Sequence, residues 1–250
     1  MAIDSKVTVE EFAHHCNGQM IPLNNSLSYF SVIPLEDSEL QRLVYDPASA
    51  MPTGIRKIIP NLRIVVVAYL EKPGRGSNGA GPRVTFDPPA RTRRMYSTVT
   101  DREDETYLFL AIKDSDIADY HDTFYYELAS IVAARGDDDF TSRFRDLLRE
   151  ELSSNTRGEL EEKSWRLKEQ VVRRQTDFSK QTKLLDSYFE QSLADTLALY
   201  MHGLCCDIDV EAGPRQLASS HVRRRLVLLR EMLPPPKGVA LFPEELSPPT

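Results

Sequence analysis

Residues 120–134, YHDTFYYELASIVAA, have helical character and carry Glu127 in the frame Tyr126-Glu127-Leu128-Ala129-Ser130. With histidine at both flanking positions this frame performs metal-assisted hydrolysis: the two imidazoles sit one turn apart on a helix face and hold zinc, while the glutamate activates the bound water. Here a phenol and an alcohol stand where the imidazoles would be. Neither retains zinc alongside a single carboxylate, so the helix is either a metal-binding helix that has lost its metal or an ordinary one in which Glu127 faces solvent or pairs with a neighbouring Arg. At about 100° per residue, Ile117, His121, Phe124, Tyr125, Leu128 and Val132 form the apolar stripe of this helix. His121 is therefore expected as a buried, hydrogen-bonded core histidine. Asp119, Thr123, Tyr126, Glu127 and Ser130 take the other side.

A second helix, Leu184 to Leu204, repeats the theme. Leu193, Leu197, Tyr200, Met201 and Leu204 make its apolar stripe, while Ser192, Asp195, Leu199 and His202 fall opposite. If the two polar sides meet, Tyr126, Glu127, Ser130, Asp195 and His202 line one cleft.

Other chemical signals are weaker. His202, Cys205 and Cys206 in HGLCC combine imidazole with thiol, which is zinc chemistry, yet no second pair at metal-ligand spacing follows. Gly74, Gly76 and Gly79 match the spacing of a dinucleotide loop, but Pro82 and a strand follow where the phosphate-binding helix would have to start. Arg223, Arg224 and Arg225 read as surface arginines on a short helix. Cys16 beside His15 is no sign of a nucleophile, because adjacency in sequence does not create the required geometry. No cofactor and no bound metal are expected.

The elements that must position these residues follow from pattern. A chain of 250 residues, 41% hydrophobic and 28% charged, is ordinary for a globular protein. A net charge of -7 and a pI near 5.4 argue against a nucleic-acid partner. Three cysteines, two of them adjacent, give no disulfide framework. The amino terminus has no signal-peptide pattern, and the longest apolar run, Ile64 to Leu70, is far too short to cross a membrane. These features place the protein in the cytoplasm.

Residues 1–61 form a mixed segment with a short helix at Thr8 to His15 and a strand-like stretch at 28–35. LRIVVVAYLE (62–71), RVTF (83–86), RMYSTVT (94–100) and TYLFLAI (106–112) read as strands, and their short connections predict a largely antiparallel sheet. Helices follow: one capped from Asp114, Ser115 or Asp116 and ended by Gly136, and one capped at Asp137 to Asp139. A charged stretch at 159–183 reads as a long solvated surface helix. After the helix ending at Leu204 come a loop with Asp207, Gly213 and Pro214, and a last helix stopped by three prolines at 234–236. The expected class is α+β: a small, largely antiparallel twisted sheet and then a helical half. One domain spans 62–233, and 234–250 form a Pro-rich extended tail.

This order resembles the minimal gluzincin metallopeptidases, in particular the Mlc titration factor A family. YLFLAI precedes the candidate helix, FTSRFRDLLREEL lies in the insertion, and LDSYFEQSLADTLALYMHG is similar to the segment that supplies the third ligand. The resemblance covers about residues 60–205. It implies a zincin-like topology, Asp195 as the ligand acid with Glu190 as a second possibility, and Glu127 as the general base. With Tyr126 and Ser130 in the histidine positions, it implies a pseudo-peptidase that binds a peptide or protein partner. Two other functions are open: a scaffolding protein working through the charged helix 159–183, and an enzyme with an unconventional site near Glu127, Asp195 and His202.

Overall fold

The structure, a computed structural model, describes residues 6–74, 81–113, 115–206, 208–210 and 216–242. Residues 75–80 of the Gly-rich loop, Asp114 among the expected caps, Asp207, Gly213 and Pro214 of the loop, and 243–250 of the tail lie outside the described residues.

The elements in chain order are β1 (Lys6–Thr8), α1 (Val9–Cys16), β2 (Ile21–Asn24), β3 (Leu27–Ser31), α2 (Asp37–Leu40), α3 (Asp46–Ala50), α4 (Thr53–Ile58), β4 (Leu62–Val67), β5 (Tyr69–Glu71) and β6 (Arg83–Thr85). They continue with β7 (Arg94–Met95), β8 (Ser97–Arg102), β9 (Glu105–Ala111), α5 (Ile117–Arg135), α6 (Asp138–Ser153), α7 (Glu162–Arg174), α8 (Lys183–Cys205) and α9 (Ser219–Met232). The class is α+β, with sheets in the first half and helices in the second. Two compact units share the chain: residues 1–49 with 59–127, and residues 50–58 with 128–250. Among the described residues, no helix is long and apolar enough to cross a membrane.

The first unit holds two sheets, ordered β2-β3-β4-β9-β8 and β1-β6-β5-β7. Five of the seven strand pairings are antiparallel, so the sheet region is largely so. The two parallel pairings, β3 with β4 and β4 with β9, form the centre of the larger sheet. Parallel neighbours need long crossovers, and the helices between β3 and β4 supply one that the short spacings further along did not foreshadow. This central position explains why β4 is apolar on successive residues: Ile64, Val65, Val66 and Val67 are all fully buried. Two stretches read as single strands are each divided between the sheets. The first breaks at Ala68, between β4 and β5, and the second at Tyr96, between β7 and β8.

Helix α1 starts with a capping box: the Glu11 amide donates to the Thr8 hydroxyl and the Thr8 amide donates to the Glu11 carboxylate. Its buried face, Val9, Phe12, Ala13 and Cys16, packs on Val65 and Val67 of β4 and on Tyr107 and Phe109 of β9. Burial pushes the Cys16 thiol up to about 11, so Cys16 behaves as a small core hydrophobe.

The second unit is helical, and two expectations change there. The stretch 159–183 is not one long helix: α7 covers Glu162–Arg174 and buries Ser164, Lys168 and Val171, while 175–182 form a separate connection. Helix α8 does not have one wet side, because Gln191, Ser192, Asp195 and Thr196 are as buried as its leucines.

Candidate functional site

In the first unit, the first turns of α5 are positioned by an irregularity in the segment before α3. Residues Gln41–Tyr45 wind as a single π turn, in which the Asp46 amide reaches back to the Gln41 carbonyl. The next bond in that register would need an amide from residue 47, but Pro47 has none. The Arg42 carbonyl is thereby released, and His121 Nε2 donates to it at 2.8 Å. Tyr120 donates its hydroxyl to the adjacent Leu43 carbonyl, also at 2.8 Å. His121, 8% exposed, is therefore the buried, hydrogen-bonded histidine that its place on the stripe predicts. Asp116 caps the helix by accepting from the Asp119 amide at 2.8 Å.

With α5 fixed in this way, Tyr126, Glu127 and Ser130 are half-buried. Glu127 meets the sheet: the Ser97 hydroxyl at the head of β8 donates to Glu127 Oε1 at 2.6 Å. Strand β8 is an edge, paired only with β9 in the described sheet. The Ala111 amide donates to the Tyr96 carbonyl, which sets the ladder phase. In that phase Thr98, Thr100 and Arg102 face β9, while Ser97, Val99 and Asp101 turn their backbone groups outward. Tyr96, 49% exposed, stands at the head of this edge. The opposite edge is blunted, because β2 contains Pro22 and an irregularity between Pro22 and Asn24.

The second unit contains a polar cluster that is closed to solvent. Arg225, from α9, is 0% exposed. Its Nε donates to both carboxylate oxygens of Glu151 at 3.1 and 3.2 Å, and its Nη1 to Glu159 Oε2 at 2.7 Å and Ser192 Oγ at 3.0 Å. Nη2 is shared between Glu151 and Glu159. All five guanidinium hydrogens are thereby accounted for. Glu159 Oε1 also accepts from Tyr188 at 2.6 Å and Lys168 Nζ at 3.2 Å, and Lys168 donates to the Gly158 carbonyl at 2.9 Å. Burial alone would push the Glu159 carboxyl up, but Arg225, then Lys168 and Tyr188, outweigh it and bring it down to about 2. Gly158 has φ +79° and lies so close to Gln216 that an added Cβ would meet its carbonyl oxygen at 2.3 Å, so no other residue can turn the chain here.

The reading of the three arginines as surface groups is corrected at Arg225. The signal was in the sequence, since Val222, Arg225, Leu226 and Leu229 follow helical spacing along one stripe and all four are buried. Arg224 does lie at the surface, where it pairs with Glu150. Glu151 and Lys168 are likewise charges on buried helix faces.

Asp195 sits in this second unit, 4% exposed, and accepts from Gln191 Nε2 at 2.6 Å through Oδ1. Oδ2 is buried without a hydrogen-bond partner among the described residues. Burial pushes the Asp195 carboxyl up to about 6; the hydrogen bond from Gln191 opposes the shift and the charges of Glu161 and Glu159 add to it, while the Ser164 hydroxyl donates to the Glu161 carbonyl. Glu190 is exposed, and His202 is half-buried at the end of α8.

These side chains do not fit a catalytic zinc. Tyr126 and Ser130 are poor ligands, one Glu127 oxygen is taken by Ser97, and Asp195 belongs to a polar seam with Gln191. What the arrangement offers is a strand with no second partner strand among the described residues, whose first residue is tied to a helix glutamate. Comparison with models of protein families, with curated proteins and with solved structures gives no match.

Proposed function

We propose that this protein is a catalytically inactive, metallopeptidase-like binding protein, which holds an extended peptide segment as an added strand along β8. The observation that carries the reading is the Ser97 to Glu127 hydrogen bond at 2.6 Å. It places an unblunted edge strand beside the helix residue that a peptidase would use as its base, with no imidazole on either side. Main-chain bonds to Ser97, Val99 and Asp101 would supply affinity, and pockets between alternate side chains selectivity. Scaffolding through a long charged helix loses its premise, since α7 is short and one face of it is buried. Three cysteines outside any disulfide suit a reducing compartment, and the cytoplasm is where we place the protein.

Two measurements test this. Incubated with zinc and a peptide library, the purified protein leaves the peptides intact; zinc-dependent cleavage that Glu127→Gln abolishes would sink the inactive reading. Among library peptides retained by the protein, Val99→Pro weakens binding about tenfold, or roughly 1.4 kcal/mol. The Val99 amide faces away from β9, so proline removes the outward donor and leaves the ladder bonds in place. Unchanged affinity in a folded Val99→Pro protein excludes the edge as the binding surface.

A further inference from the structure

The C-terminal turn of α8 holds a donor pair that peptide capture does not use. His202, in the last turn of α8, and Cys206, the residue that caps it, are four residues apart. An imidazole nitrogen of His202 and Cys206 Sγ lie within 4.8 Å of each other. Both residues are half-buried, shielded from bulk water yet reachable by an ion.

The backbone holds this pair in place. The Cys206 amide donates to the His202 carbonyl at 2.9 Å, the last bond of the helix, after which Cys206 leaves in an extended conformation at φ −116° and ψ 142°. The Ile208 amide then donates to the Cys206 carbonyl at 2.7 Å, and the chain doubles back so that Val210 packs against Gly203. A Cβ at Gly203 would come within 2.4 Å of Val210 Cγ1, so glycine is what lets the returning chain press against the turn. The negative end of the helix dipole favours a cation at this position.

We propose that His202 and Cys206 are two of the ligands of a zinc ion that clamps the C-terminal turn of α8. Thiolate with imidazole selects a borderline-soft ion over magnesium or calcium. Tetrahedral zinc with ordinary bond lengths needs the two donor atoms roughly 3.5 Å apart, which small side-chain rotations within the observed separation supply. On binding, the Cys206 thiol gives its proton to solvent and the thiolate forms the Zn–S bond. Water or further donors complete the tetrahedron. Cys205 points about 100° away around the helix and takes no part. The role is structural: the ion staples the chain where it leaves the helix. This inference stands apart from the peptide-binding reading, which concerns β8.

The test uses the full chain and the metal alone. Titrated with cobalt(II), the wild-type protein develops a thiolate-to-metal charge-transfer band that saturates at one ion per chain and is bleached by zinc. Cys206→Ser abolishes the band, His202→Ala weakens cobalt binding about tenfold or more, as loss of one of a few ligands requires, and Cys205→Ser changes nothing. A band that survives in Cys206→Ser, or that disappears in Cys205→Ser, overturns the assignment, as does failure of the wild-type protein to take up cobalt or zinc. Should a variant misfold, the wild-type protein decides alone: zinc slows alkylation of Cys206 and leaves Cys205 unprotected, and any other protection pattern rejects the site.

Discussion

Replacing Arg225 with methionine destabilises the helical unit by about 3–5 kcal/mol, a large part of the whole stability of a domain. The buried arginine neutralises Glu151 and Glu159, both of whose side chains are 0% exposed. Without it, two desolvated carboxylates face each other, with Lys168 against Glu159 and the His221 imidazole 3.5 Å from Glu151 in place of a fully hydrogen-bonded guanidinium. Lysine does not rescue the site, because one ammonium cannot give the five fixed donors that Arg225 shares among Glu151, Glu159 and Ser192. Pairing Arg225→Met with Glu151→Leu restores much of the loss, since the remaining Glu159 keeps Lys168 and Tyr188. Urea unfolding of the three proteins checks this, and an Arg225→Met midpoint equal to that of wild type would show that the cluster does not hold the fold.

Asp195→Asn stabilises the protein, and the gain depends on pH. In the folded protein the Asp195 carboxyl is pushed up to about 6 from 3.8, so folding favours its protonated form. An acid raised in this way leaves stability untouched below the unfolded value and lowers it progressively as pH climbs through the folded one. The difference between Asp195→Asn and wild type should thus be small below pH ~4, grow between pH ~4 and ~6, and level at about 3 kcal/mol above that. Asparagine can still accept from Gln191, so the existing bond survives the change. Glu159 has the opposite sign: held down at about 2 from 4.5, it contributes stability that is lost as pH falls through that interval. Unfolding curves collected from pH 3 to 8 separate the two groups. A pH-independent difference between Asp195→Asn and wild type would mean that Asp195 does not titrate in the folded state.

Strong periodicity made much of this architecture legible. The burial of His121 followed from its place between Ile117 and Phe124 on one stripe, and the β-branched run at 64–67 announced a strand covered on both faces. The parallel pairings at the centre of the larger sheet were hidden because register depends on which distant strands meet, and local spacing carries no such information. The Ser97 contact to Glu127 joins positions 30 residues apart and is equally silent in the sequence. The buried cluster was obscured for another reason. Charged residues are ordinarily exposed, so by type Arg225 and Lys168 read as solvated, whereas the place of Arg225 on the stripe of Val222, Leu226 and Leu229 is the better indication of its burial.

Gathering the cluster from α6, α7, α8, α9 and the turn at Gly158–Glu159 also sets an order of events during synthesis. Glu151, Glu159 and Lys168 leave the ribosome before the one guanidinium that neutralises both acids. Until residue 225 has cleared the exit tunnel, α6 to α8 cannot close together without stranding charge in a dry interior. Closure of α6 to α8 around the two acids is thereby tied to the arrival of α9, the last helix in chain order among the described residues.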